Sequence, residues 1–324
     1  MHLVPLIALL AGAASGGLYV YGLTLTITGV FLLLLAPLPL WLAGLGWGAT
    51  AAGLGGAVGA IGVLLVAGPM IGSMYALVLA IPAVILVNLA MAQHRDPGTE
   101  AWFPANALVS ALVVVGLVQA LIAALALSAT DAGLVGTVRD NLVTVFGAYV
   151  TEDSGEGSGA VIDQWDSLVL GALIAVTMLA QVGTAALAQG LLAAFQKAAR
   201  PSPSFWALRV GDWTRVLFVP LLIAVVVLDA TGIAAQNGPG GFFQFLGMAF
   251  VLVLGVGFLL QGLAVMHALT RGMRTQPLVL GGVYLVALTF QPFGSALFAL
   301  IGFFDRWGNF RERFGVGDDA DMED

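Results

Sequence analysis

Long apolar runs separated by short polar gaps organise the chain. The first covers residues 3–22, and the second is TLTITGVFLLLLAPLPLWLAGLG. Others follow at 46–67, 70–92, 102–128, 166–193, 214–235, 242–269 and 277–304. A helix of about 20 apolar residues crosses the hydrocarbon layer of a membrane. The runs are continuous rather than alternating, so they predict helices and not the two-residue period of a membrane β-barrel. The expected fold is an all-α polytopic bundle of about 8–10 membrane segments. Pro37 and Pro39 should kink the second run or end its helix early. No Lys or Arg precedes the first apolar run, which therefore reads as an uncleaved helix and not as a signal peptide.

One long hydrophilic region, 129–165, interrupts the pattern. Its first part spaces Leu134, Val138, Leu142, Val145 and Tyr149 at three to four residues, the period of an amphipathic helix. Its second part, TEDSGEGSGA, reads as a mobile Gly/Ser/acidic linker. QNGPGG, at 236–241, reads as a tight turn. Residues 1–304 thus form a single integral membrane domain carrying the 129–165 insert, and 305–324 a polar acidic tail.

Composition narrows the class further. Of 324 residues, 60% are apolar and 9% are charged, with a mean hydropathy of +1.02. A soluble domain carries roughly 25% charged residues, so a soluble globule, a disordered chain and a nucleic-acid binder are all excluded. Cysteine is absent, which removes thiolate metal sites and thiol nucleophiles.

The net charge of −7 is unevenly placed. Seven acids lie between Asp131 and Asp166 against Arg139 alone, and seven more lie from Asp305 onward against Arg306, Arg311 and Arg313. The other bases fall in three gaps: Arg95; Lys197, Arg200, Arg209 and Arg215; and Arg271 with Arg274. Basic loops stay in the cytoplasm. Alternation then puts the N-terminus inside and the acidic loop outside. The run 277–304 conflicts with this order. A single kinked crossing would put Arg306, Arg311 and Arg313 outside; a break at TFQPFG would give two half-helices that return the tail.

Small residues recur four apart, at Gly12/Gly16, Gly44/Gly48, Ala52/Gly56 and Gly55/Gly59. Close helix packing explains them, and Gly-lined space for a ligand is the alternative. Ionisable groups inside the spans are scarce, with Asp229 the main exception, placed for interfacial capping or for holding a ligand or cation. Thr177, Gln181 and Thr184 form one stripe on the sixth span, with Gln119 and Gln261 at comparable depth on their own spans. They can tie helices together or line a patch for a small neutral or zwitterionic solute. Asp305 and Arg311, six apart, would fall on different faces of one continuous helix. They serve either as helix termination with snorkelling arginine or as a docking site for a cytoplasmic partner. Trp41, Trp47, Trp102, Trp165 and Trp307 are expected at headgroup depth. No P-loop, HExxH motif or catalytic triad can be assembled, so no enzyme, metal site or cofactor is expected.

Two segments carry a resemblance: residues 36–86, APLPLWLAGLGWGATAAGLGG and onward to PAVIL, and ALIGFFDRWGNFRERF at 299–314. Together they resemble the YybS-like family of predicted polytopic membrane proteins of bacteria, a domain of unknown function. More distantly, the Pro-then-Gly-rich run over 37–69 is similar to the S components of energy-coupling-factor transporters. The resemblance implies a multi-pass protein of the bacterial cytoplasmic membrane, and a small solute delivered with other membrane subunits or a cytoplasmic energising module. The expected function is a solute-binding transporter subunit. The alternative is a non-transporting scaffold or assembly factor for envelope or division processes.

Overall fold

The computed structural model describes residues 3–24, 26–96, 99–146, 157–231, 239–308 and 310–313. Among the described residues, eight helical segments are long and apolar enough to cross a membrane. Large apolar side chains such as Leu65, Val66, Leu173 and Val216 are exposed on them, as a lipid-facing surface requires. The protein is a helical multi-pass membrane protein. It divides into two compact units: residues 1–112 with 176–204, and residues 113–175 with 205–324.

In the first unit, helix α1 (Leu3–Gly22) packs on α4 (Ala49–Ala67). A Cβ at Gly12 would run into Gly55 O, and one at Gly16 would meet Val63 and Gly59 O at 3.1 and 3.3 Å. The small-residue pairs are therefore a backbone-to-backbone crossing, the packing that lipid favours. The second span breaks as its prolines predict, into α2 (Ile27–Leu35) and α3 (Leu38–Trp47). At the break Leu40 N–H pairs with Pro37 O, while Ala36 O accepts from Ser15 Oγ at 2.6 Å. Tyr75 OH donates in turn to Ser15 Oγ at 2.8 Å, so a buried chain of hydroxyls satisfies the carbonyl. Gly48 and Gly68, with φ of 100° and 90°, make the sharp corners on either side of α4. The fourth span is α5 (Pro69–Tyr75), a π-helical turn at Ala76–Ala80 and α6 (Ile81–Ala90). The charged gap after it forms a short antiparallel hairpin, β1 (Gln93–Asp96) with β2 (Thr99–Trp102).

Helices α7 (Ala105–Ser128) and α9 (Gly157–Ala194) contribute residues to both units. The last four residues of the expected linker, 157–160, belong to α9; the rest of it, 151–156, lies outside the described residues, as do 236–238 of QNGPGG. The amphipathic helix is present as α8 (Gly133–Phe146), with Leu134, Val135 and Val138 buried; Tyr149 lies outside the described residues. Arg139 on α8 pairs with Asp166 on α9 at 3.3 Å.

The second unit is built around α11 (Pro239–Leu269), buried along much of its length, with α10 (Trp213–Ala230) beside it. The run 277–304 does not continue straight. It forms α12 (Gln276–Thr289) and α13 (Phe293–Gly308), bent by 119° at the TFQPFG break. Helix α13 lies against α11 at glycine level: a Cβ at Gly262 would meet Phe298 O, and one at Gly302 would meet Phe258 O. A short helix, α14 (Phe310–Arg313), follows.

Candidate functional site

The returning hairpin brings the start of the tail to the 205–215 segment, near the C-terminal end of α11. Arg311 Nη1 and Nη2 donate to Trp206 O and Leu208 O at 3.0 and 2.8 Å. Arg271, just beyond α11, stacks on the Trp206 ring at 4.2 Å. Three polar segments of this unit thus meet at one end, and Arg306 and Arg311 lie with the other bases there. The 119° bend and these contacts agree with the hairpin alternative.

Between these segments lies a polar cavity of about 290 Å3, lined by Arg209, Val210, Arg215, Gln261, Asp305, Arg306 and Arg311. Gln261 sits on α11 about two turns inside the helix end. Its carbonyl oxygen accepts from Val210 N–H at 3.0 Å, and its amide donates to Asp305 Oδ2 at 3.1 Å. Asp305 Oδ2 also pairs with Arg311 Nη2 at 3.2 Å, and both side chains are nearly fully buried. Arg215, at the start of α10, bonds Phe303 O and pairs with Asp212 at 2.9 Å; Arg306 pairs with the same carboxylate at 2.8 Å. Phe258 packs edge to face on Phe218 and on Phe303 nearby.

The continuous-helix expectation for Asp305 and Arg311 is corrected here. The two residues expected on different faces are instead joined, with Arg311 Nη2 and Asp305 Oδ2 paired at 3.2 Å. Burial holds the pKa of the Arg311 guanidinium below its ordinary value, with Asp305 opposing the shift. The Arg311 Nε is buried with no hydrogen-bond partner.

The other candidates from the sequence sit elsewhere. Gln181, in the first unit, accepts from Trp41 Nε1 at 2.8 Å and donates to Leu79 O at 3.0 Å. That bridge uses its amide to join three spans. It also puts Trp41 in the core of the unit, with its indole N–H on a buried acceptor. Thr184 donates to Ala180 O on its own helix at 2.6 Å, and Thr177 is half-buried. In the second unit Gln119 is half-buried and Asp229 is exposed; neither lines the cavity. Helix α10 stops at Ala230, so Asp229 is an end residue, in keeping with the interfacial alternative.

Gln261, Asp305 and Arg311 are therefore the candidates that the fold gathers. Arg209, Arg215 and Arg306 join them, although sequence reasoning assigned those residues to topology alone. Among the described residues, no group of three or more His, Cys, Asp or Glu is placed to hold a metal ion. Comparison of the chain with family models, curated proteins and solved structures found no match.

Proposed function

We propose that this protein is a membrane subunit that binds a small polar solute in the cavity beside Gln261, Asp305 and Arg311. The observation that carries the reading is the cavity itself. Its walls are polar, and three of the lining residues, Gln261, Asp305 and Arg311, are buried. Its size lies near the lower end of the ~300–1,000 Å3 typical of small-molecule sites. A solute-binding role without chemistry fits the YybS-like and S-component resemblances. The same reading puts the N-terminus, the three basic gaps and the tail in the bacterial cytoplasm. Two groupings support it: Arg271, Arg306 and Arg311 share one end of the second unit. In the first, Arg200 reaches back to Ala90 O at 2.8 Å and lies over the Trp102 ring at 5.8 Å, joining two of the basic gaps.

The test is a thermal-shift screen of small solutes on the purified protein in phosphatidylcholine nanodiscs. A solute at a hundred times its Kd adds about 2.7 kcal/mol to stability, enough to raise the melting temperature visibly. The expected result is stabilisation by a solute class, lost in Arg209→Trp, where a bulky ring at an exposed lining position obstructs the cavity. A scaffold role replaces this reading if no solute stabilises the protein and partner proteins co-purify specifically.

A further inference from the structure

We infer that the solute of this cavity is a zwitterion of the amino-acid type, its ammonium group received by Asp305 and its carboxylate by Arg215; the inference rests on the cavity being a solute site. Two buried side chains of the lining each keep one polar atom out of the protein's own hydrogen bonds. Asp305 is 5% exposed and engages both of its partners, Gln261 and Arg311, through Oδ2. Its Oδ1 accepts no hydrogen bond among the described residues. With both partners on one oxygen, the carboxylate cannot turn without breaking them, so Oδ1 is a fixed acceptor in the wall. Gln261 is thereby a positioning residue, its own amide engaged by Val210 and Asp305. Arg215, 8% exposed, gives Nε to Phe303 O and Nη1 to Asp212, which leaves the two protons of Nη2. Phe303 stands two residues before Asp305 on α13, so this donor and that acceptor belong to one patch of the cavity.

An open acceptor beside an open donor selects the solute by its hydrogen-bonding groups. Asp305 Oδ1 calls for an N–H or O–H, and Arg215 Nη2 calls for an oxygen. Hydrogen bonds between ionised partners are roughly twice as strong as neutral ones. That favours an ammonium on the carboxylate and a carboxylate on the guanidinium over a pair of hydroxyls. A simple cation would suit Asp305 but stand against Arg215 at close range, and a simple anion would do the reverse. A molecule with both groups on a short frame gives each its counterpart. Asp212 does not compete for Nη2, because its second oxygen is held by Arg306 at 2.8 Å while the first stays on Nη1. The volume of about 290 Å3 suits so small a solute.

The experiment follows thermal unfolding of the protein in phosphatidylcholine nanodiscs during titration with each of the common L-amino acids. Saturable stabilisation by one or more of them is expected. For a responding amino acid, two analogues of nearly the same shape are then compared: the α-hydroxy acid, which lacks the ammonium, and the carboxamide, which lacks the carboxylate. Each should bind more weakly than the parent by about fivefold to thirtyfold. These arms use the wild-type chain and do not depend on whether a variant folds. Asp305→Asn should remove most of the penalty for losing the ammonium, and Arg215→Lys most of that for losing the carboxylate, each variant being referred to its own melting without solute. The inference is overturned if no amino acid stabilises the protein, if either analogue binds as well as its parent, or if folded variants keep both penalties. Stabilisation by other solutes with no amino-acid response removes the inference and leaves the solute-binding reading standing. No response to any solute removes both.

Discussion

Replacing Asp305 by Asn tests whether the returning hairpin is fastened by charge. The Asp305 carboxylate meets Arg311 at 3.2 Å and accepts from Gln261 at 3.1 Å, with both members of the ion pair about 95% shielded from solvent. Asn keeps the shape and an oxygen for Gln261, so the substitution removes the charge and little else. Breaking a buried pair from one side costs about 3–5 kcal/mol, because the remaining charge is left unanswered. Arg311 retains the Trp206 and Leu208 carbonyls, which places the loss near the lower end, about 3 kcal/mol. For a unit of this size that is a fall in Tm of about 6–12 °C. Tryptophan fluorescence during heating in uncharged detergent measures it. Asp305→Asn, Arg311→Met and the double variant together should give a coupling energy above about 1 kcal/mol. A fall below about 2 °C, or independent effects of the two substitutions, would refute the reasoning.

Three further outcomes follow from the packing and the charge placement. Gly302→Ala puts a methyl group against Phe258 O and Gly262 N and should cost about 1–3 kcal/mol in thermal unfolding; Gly282→Ala, with open space at its Cβ, should cost nothing. Gln181→Leu strands Trp41 Nε1 and Leu79 O, and should lower stability by about 1–2 kcal/mol without changing any solute response in the second unit. In this cysteine-free chain, Val316→Cys and Arg271→Cys should react with an impermeant thiol reagent only from the cytoplasmic side; labelling of position 316 from outside would remove the proposed topology.

Much of the spanning architecture was legible because its causes are local. Continuous apolar runs set span positions to within a few residues, and the break at Pro37 and Pro39 explains why Ala36 O needs Ser15, since Leu40 N–H turns to Pro37 O. The Gly12 and Gly55 neighbourhoods could be read as close packing for the same reason, since a missing Cβ means the same thing in sequence and in structure. The hairpin at Gln93–Trp102 had a local signal too, the Pro97–Gly98 pair between two short polar runs, but charge there drew attention to topology instead.

The cavity had no local signal. Gln261 looked like Gln181, an uncharged amide within a span, yet the two ended in opposite roles. Gln181 found an indole and a carbonyl on neighbouring spans and became an internal tie. Gln261 found a carboxylate six residues before an arginine, on a segment whose direction depended on one break at TFQPFG. Had that segment crossed straight, Asp305 and Arg311 would have been carried away from Arg209 and Arg215. The basic gaps would then have been topology signals alone, as the sequence read them. The 119° bend converts the same residues into the wall of a single site. The Asp305–Arg311 pair and the lining of the cavity thus depend on one bend, and variants at that bend should disturb both together.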